Sequence, residues 1–330
     1  MRNRETARFR AIVVAEIRSF FDERGYLEVD TPLLAPALIP EQHIEVFATE
    51  FHDPALLADD PARQRFLIPS PEIWMKRLLG QGYGDIFQLS HCFRNHESVG
   101  PEHNPEFTML EWYTTDASYE DAASIADALL GAVTTSDRIG DAARDAGVSE
   151  TALDACAPPA ERLTVAAAFE RYAGLPEEVF CDERAMARSA RALGLTVGEH
   201  ESGEDLFHRL FLTHVEPALP SAHPLILMDY PAYVPTLAER VPDTPYARRW
   251  ELYAGGRELA NCYQEERDAG QLKAYLSSAA RAKTEALVPH PTDLSLLDFG
   301  TAPRCSGVAL GVDRLIMALT GINDIREVIF

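Results

Sequence analysis

The sequence predicts an α/β (α+β) domain: a mainly antiparallel sheet flanked by helices, with a helical insertion in the middle. Three observations carry that prediction. Apolar residues near the N-terminus recur at helix spacing. Two aromatic-rich runs, Phe87–Phe93 and Phe107–Tyr113, alternate as strands do, and further strand-like runs follow from Leu225 onward. Between them, residues 119–218 are rich in alanine and acidic residues and read as helical.

Taken in order, Phe9, Ile12, Val13, Ile17, Phe20 and Phe21 mark one face of an amphipathic helix, and Gly25 ends it as a left-handed cap. Leu27–Thr31 alternates as a short strand stopped by Pro32. Residues 33–65 are proline-rich and aperiodic, which predicts loops and short strands. Ser70 before Pro71 predicts a helix over 71–79, with the serine as N-cap and the proline at the first helical position. The two aromatic strands are joined through Asn104-Pro105, a turn signal, and so predict a long-looped antiparallel hairpin. Helices are predicted over 122–133, 166–172 and 204–215, as an insertion in one fold and not a second domain. Leu225–Met228 reads as a buried strand, and Gly255-Gly256 as the turn of a hairpin between 250–254 and 257–261. Residues 262–284 read as a charged helix, Val308–Leu310 as a strand, and 313–319 as a helix ending near Gly321. No internal repeat interrupts this order, so residues 1–330 are expected to form one domain.

A chain of 330 residues can bury about three quarters of its unfolded surface, enough for one large catalytic domain. Hydrophobic residues at 46% and charged residues at 25% exclude disorder and fibrous repeats. The formal net charge of −22 opposes bulk nucleic-acid binding, because such a surface repels phosphates. The cysteines, Cys92, Cys156, Cys181, Cys262 and Cys305, are odd in number and lack C-x-x-C spacing, which fits a reducing compartment and not a disulfide framework or zinc finger. The N-terminus has no signal-peptide core and no apolar run reaches membrane-spanning length, so a cytoplasmic protein with no membrane partner is expected.

Three clusters carry chemistry. In the first hairpin, alternation puts Phe87, Leu89, His91 and Phe93 on one strand face and Gln88, Ser90, Cys92 and Arg94 on the other. In its partner strand, Phe107, Met109, Glu111 and Tyr113 share a face. A carboxylate inside an apolar strand is costly to bury without a cation. Glu111 therefore reads either as the partner of Arg94 or as the seat of a cationic ligand, with Arg94 left for an anion. Glu258 and Glu265 are two carboxylates that suit a magnesium ion shared with phosphates, or else a solvated acidic edge. Gly307 and Gly311 bracket a short strand entering a helix, which fits either close ligand approach or tight packing.

Together these segments resemble the class II aminoacyl-tRNA synthetases. Arg24-Gly25-Tyr26-Leu27-Glu28-Val29-Asp30-Thr31-Pro32 is similar to motif 1. Phe93-Arg94-Asn95 through His103-Asn104-Pro105-Glu106-Phe107-Thr108-Met109-Leu110-Glu111-Trp112-Tyr113 is similar to motif 2, and Gly307 through Arg314 to motif 3. The string from His103 to Tyr113, with Glu258-Leu259-Ala260-Asn261, resembles the lysyl-tRNA synthetase branch. Only about twenty residues precede motif 1, too few for the OB-fold that grips the anticodon in that branch. Ser70 and Ala309, where those synthetases have alanine and glycine, resemble instead the stand-alone paralogues that ligate (R)-β-lysine to elongation factor P.

The resemblance implies a class II synthetase-like core that uses ATP and Mg2+ to form a lysyl-type adenylate. The acyl group would then pass to a lysine of elongation factor P. It implies catalytic roles for Arg94, on the α-phosphate, and Arg314, which with Phe107 would sandwich the adenine and reach the γ-phosphate. Asn95, His96, Asn104, Leu259 and Gly311 would complete the nucleotide site. Glu258 and Glu265 would bind the metal, with Glu265 also near the amino acid. Glu111 and Tyr113 would take the side-chain ammonium, while Ser70, Pro71 and Glu72 would lie near the other amine. Ala309 would shape the pocket wall. The motif 1 region implies a homodimer, and no stable tRNA binding is expected.

Two positions depart from the pattern. His96 stands where the motif has glutamate, with Glu97 one residue later, so either would meet the adenine. Cys262 replaces the glycine that follows the Glu258–Asn261 string. Two other functions fit the same motifs: a paralogue activating α-lysine, and a non-catalytic lysine or ATP sensor. Retention of Arg94, Glu258, Glu265 and Arg314 argues against the second.

Overall fold

The computed structural model describes residues 4–57, 60, 63–96, 100–181, 183–198 and 201–329. Helix α1 (Arg4–Asp22) buries Phe9, Val13, Ile17, Phe20 and Phe21, and Gly25 lies beyond it at φ +79°. Short strands β1 (Leu27–Glu28), β2 (Leu34–Ala35), β3 (Ala48–Glu50) and β4 (Gln64–Leu67) precede helix α2 (Glu72–Gly80). The hairpin β5 (Ile86–Phe93) and β6 (Glu106–Thr115) follows as expected. Next come α3 (Tyr119–Thr135), α4 (Asp137–Ala146), α5 (Glu150–Asp154), strand β7 (Glu161–Thr164), and helices α6 (Val165–Ala173), α7 (Glu183–Ala192) and α8 (Gly203–Leu210). The chain closes with β8 (Leu225–Pro231), β9 (Tyr246–Ala254), β10 (Arg257–Gln264), α9 (Ala269–Lys283), β11 (Cys305–Gly311), α10 (Val312–Thr320) and α11 (Arg326–Ile329).

The main sheet has eight strands in the order β1-β5-β6-β11-β10-β9-β8-β7, and β2, β4 and β3 form a small second sheet. Only the two edge pairs of the main sheet, β1–β5 and β7–β8, are parallel. The β9–β10 turn needs its two glycines, since both Gly255 and Gly256 hold positive φ, at +59° and +76°.

One sheet face is dry. Phe87, Trp112, Trp250, Val308 and Leu310 pack there against α1, α3, α4 and α10. A second cluster joins α6, α7 and α8 to β8 around Phe169, Phe207 and Leu227. On the face opposite the dry one, α2, α9 and the turn after it close over Ile86 and Tyr113 through Ile73, Met75, Leu272 and Phe299.

Three sequence expectations change. Ser70 is not the N-cap of α2. Pro71 occupies that position at φ −77° and ψ −1° without a side-chain cap, while Ser70 lines the central cavity. The helix expected from 262 begins only at Ala269, where the Asp268 side chain accepts from the Gln271 amide; residues 262–264 still pair with both β9 and β11 or with β11 alone, and so extend β10. Inside the helical stretch, Glu161–Thr164 pairs in parallel with β8 and becomes the far edge of the main sheet, while α3 and α4 share the core of α1.

Candidate active site

The cavity of about 290 Å3 lies on the polar face of the sheet. Register explains its floor. Gln88, Glu111, Ala309, Asn261 and Glu251 stand side by side across β5, β6, β11, β10 and β9. One step along, Ile86, Tyr113, Gly307, Tyr263 and Arg249 form the next row. Gly307 must be glycine here: a Cβ would come within 2.4 Å of both Glu265 Oε1 and Tyr113 Cε1, so those two side chains cross over it.

The expected residues converge in part. Ser70, Glu72, Glu111, Tyr113, Glu265 and Ala309 line the cavity, as do Arg94, Asn104, Phe107, Glu258, Leu259, Gly311 and Arg314. Pro71, Asn95 and His96 do not line it. Pro71 caps α2. Asn95 is held by the preceding loop, its amide donating to the Glu45 carbonyl (2.8 Å) and its Nδ2 to the Val46 carbonyl (3.3 Å). His96 is exposed at φ +55°, its amide bonded to Asn95 Oδ1. Glu97 lies outside the described residues.

One end of the cavity is carboxylate-rich. Glu111 is 3% exposed; its Oε1 accepts from Tyr113 Oη at 2.7 Å, and among the described residues its buried Oε2 receives no hydrogen bond. Burial first, then the neighbouring Glu72, pushes its carboxyl well above the usual range. Burial and the same carboxylates also raise the Tyr113 phenol, so it stays a donor. Lys76, 2% exposed on α2, bridges Glu72 Oε1 and Glu265 Oε2, each at 2.6 Å. The two carboxylates overcome the burial penalty and raise the Lys76 ammonium, which stays charged. Glu265 is nevertheless pushed up to about 7, because it is buried and shares that one ammonium with Glu72. Sequence analysis passed over Lys76; its signal was the i,i+4 spacing from Glu72.

The other end is cationic. Arg94 lies over the Phe107 ring at 5.2 Å. Arg314 donates to His103 Nε2 at 2.9 Å and to the Glu258 carbonyl at 3.3 Å, and its guanidinium lies 3.7 Å from the Glu258 carboxylate. Behind it, Asp313 takes the Thr108 amide at 2.6 Å and pairs with Arg10, which fixes the start of α10 to β6. Asn104 Nδ2 closes its own turn on the Glu106 carbonyl at 2.6 Å.

Glu258 and Glu265 have different surroundings. Glu258 faces Arg314 and Glu251 and keeps 37% of its side chain open; partial burial first, then Glu251, raises its carboxyl. Glu251, which sequence analysis also passed over, accepts from Tyr230 (2.5 Å), Tyr253 (2.7 Å) and Arg249 (2.5 Å). Arg249 in turn reaches Asn261 Oδ1 at 3.3 Å. Among the described residues, no group of three His, Cys, Asp or Glu side chains is arranged to hold a metal by itself. Also among the described residues, no helix is long and apolar enough to cross a membrane.

A family model for tRNA synthetases class II (D, K and N) matches residues 1–330. Curated relatives named elongation factor P–(R)-β-lysine ligase are 36% identical to this chain. They include proteins of Pasteurella multocida over 323 residues and Salmonella paratyphi B over 326 residues, each covering 97% of this chain and 92% of the relative. The Mannheimia succiniciproducens relative matches equally well over 324 residues. With motifs 2 and 3 brought around one cavity and the match running the full length, the chain belongs to the class II tRNA synthetase family.

Proposed function

We propose that this chain is an ATP-dependent ligase that activates (R)-β-lysine as an adenylate and transfers it to a lysine of elongation factor P. The observation that carries the reading is the unpartnered Glu111 Oε2, buried at the end of the cavity where Glu72, Glu111 and Glu265 outnumber Lys76. Such a site is completed by a ligand with ammonium groups. The opposite end, with Arg94 and Arg314, suits phosphates. A diamino acid whose carboxylate points toward ATP fits both ends. The protein named in the relatives then supplies the acceptor and the isomer.

The chemistry needs no protein nucleophile. A substrate carboxylate oxygen attacks the α-phosphorus, and pyrophosphate leaves. Glu111 and Tyr113 hold the distal ammonium, so the carboxylate is aimed before reaction. Arg94 offsets the charge that builds on the α-phosphate, and Phe107 with Arg314 brackets the adenine. The acceptor amine then attacks the acyl carbon, and AMP leaves.

Magnesium fits the phosphate end. Glu258 is a cavity-facing carboxylate raised by burial and then by Glu251, so a cation there relieves the repulsion. Glu258 would hold the ion with phosphate oxygens and water; Glu265, engaged by Lys76, belongs with the amine-binding groups. When bound, the ion would offset the charge of the phosphates.

The direct test is ATP–pyrophosphate exchange with (R)-β-lysine and α-lysine, followed by transfer to elongation factor P. Exchange with β-lysine and a mass increase on the acceptor are expected. Efficient charging of total tRNA with lysine would overturn the reading; the −22 net charge argues against it.

Ala309 sets the isomer in this reading. It stands between Glu111 and Asn261 on the cavity floor. Its methyl would crowd an amine on the carbon bearing the carboxylate and spare one displaced by a carbon. Ala309→Gly is expected to raise kcat/KM for α-lysine by roughly 10- to 200-fold with little change for β-lysine. Equal losses with both isomers would reduce Ala309 to packing.

We also infer a homodimer. Leu27 on β1, Leu34 on β2 and Tyr83 before β5 are about half exposed (50%, 47% and 47%), apolar side chains that a two-fold partner would cover. Light scattering at micromolar concentration is expected to give twice the chain mass, and a monomer would refute this assembly.

A further inference from the structure

The cavity has a further carboxylate that neither the motifs nor the mechanism uses. Glu41 lies in the loop between β2 and β3 and lines the cavity wall together with Ile44. Among the described residues, no hydrogen-bond donor or ion-pair partner engages its carboxylate.

The loop is built, not loose. The Pro40 carbonyl accepts from Tyr275 Oη at 3.5 Å, and the Ile44 carbonyl from the buried Lys283 Nζ. The Glu45 carboxylate takes the Leu287 and Val288 amides, each at 3.3 Å, and its carbonyl takes the Asn95 amide at 2.8 Å. The backbone that carries Glu41 is thus held in place before any ligand arrives, which lowers the ordering cost on binding.

Its neighbours fix where it acts. Burial and then Glu72 push the Glu41 carboxyl up to about 7; Arg94, Lys283 and Lys76 oppose them. Glu41 lines the cavity, and its neighbours Glu72, of the carboxylate-rich end, and Arg94, of the cationic end, put it between the two, on the side from which the substrate's carboxylate must meet the α-phosphate. Deeper in the carboxylate-rich end, Tyr113 and Glu265 cross over Gly307, and Glu111 accepts from Tyr113 Oη.

We propose that Glu41, together with Glu72, receives the substrate ammonium nearer the reacting carboxylate, and so is a specificity-determining residue for a diamino acid over a mono-amino one. The proposal rests on the ligase reading above. It assigns the distal ammonium to Glu111 and Tyr113 and the proximal one to the loop.

The test pairs Glu41→Gln with a ligand that lacks the proximal amine. In ATP–pyrophosphate exchange, Glu41→Gln is expected to raise the KM for (R)-β-lysine roughly 10- to 100-fold, the scale of a lost hydrogen bond to a charged group. The inhibition constant of 6-aminohexanoate, which keeps the carboxylate and the distal amine, should stay within about twofold of the parent's. Glu41→Asp, with its charge kept, should recover part of the loss. Equal changes for both ligands, or no change for either, would overturn the assignment. A parent protein that exchanges with neither lysine isomer would instead refute the ligase reading.

Discussion

Glu111→Gln should abolish amino-acid activation while leaving ATP binding nearly intact. The substitution keeps the shape of the side chain and the bond from Tyr113 Oη, but removes the charge that, in the proposed reading, would face the substrate ammonium. Leaving that ammonium without its counter-charge is worth about 3 kcal/mol or more, hence a loss in kcat/KM of over 100-fold. In the proposed reading ATP would contact the other end, at Arg94 and Arg314, so nucleotide affinity measured by calorimetry should change little. Normal exchange in the variant would return Glu111 to a purely structural role.

Lys76→Met should cost the most stability of any single change at the site. The ammonium is 2% exposed and sits 2.6 Å from each of two carboxylates, so its removal strands Glu72 and Glu265 together. Breaking a buried ion network from one side costs about 3–5 kcal/mol, and for a chain of this size that corresponds to a Tm lower by roughly 5–15 °C. The sign of the pH effect is fixed. Burial holds the Glu265 carboxyl above its unfolded value, pushed up to about 7, so the folded state holds its proton more tightly. Without Lys76 that tendency strengthens, and the variant's deficit should be larger at pH 8 than at pH 5, where protonated carboxyls need no counter-cation. Adding Glu265→Gln should recover part of the loss, because the two changes share one interaction. A Tm unchanged at pH 8 would show that the bridge contributes nothing to the fold.

Much of this was legible in sequence because it depends on local periodicity. The 3-4 spacing from Phe9 to Phe21 specifies a helix with one dry face, and α1 buries that face. Alternation in the 87–113 hairpin put Gln88 and Glu111 on the same side, and the register pairs them directly. Motif strings placed Arg94, Glu111, Glu258, Glu265 and Arg314 in one site, and all five line one cavity.

What alternation does not reach, the tertiary structure decided. In β10, simple alternation would set Glu258 opposite in face to Asn261 and Glu265. The register shift between Glu258 and Ala260 inserts one residue, and Glu258 joins them on the cavity side. A bulge depends on the partner strand, so β10 alone does not reveal it. The same holds for charge. Glu72, Lys76 and Glu265 are separated by up to 193 residues (265 − 72 = 193), and only the docking of α2 onto the sheet turns them into one network. Glu41 sits in a stretch with no period at all, and its place in the cavity comes from loop anchors on Lys283, Tyr275 and Asn95. Local spacing determined which elements form and which faces they hide. Which charges meet, and which are left for a ligand to neutralise, was decided by long-range packing, because a buried charge takes its energy from whatever the fold brings within a few ångströms.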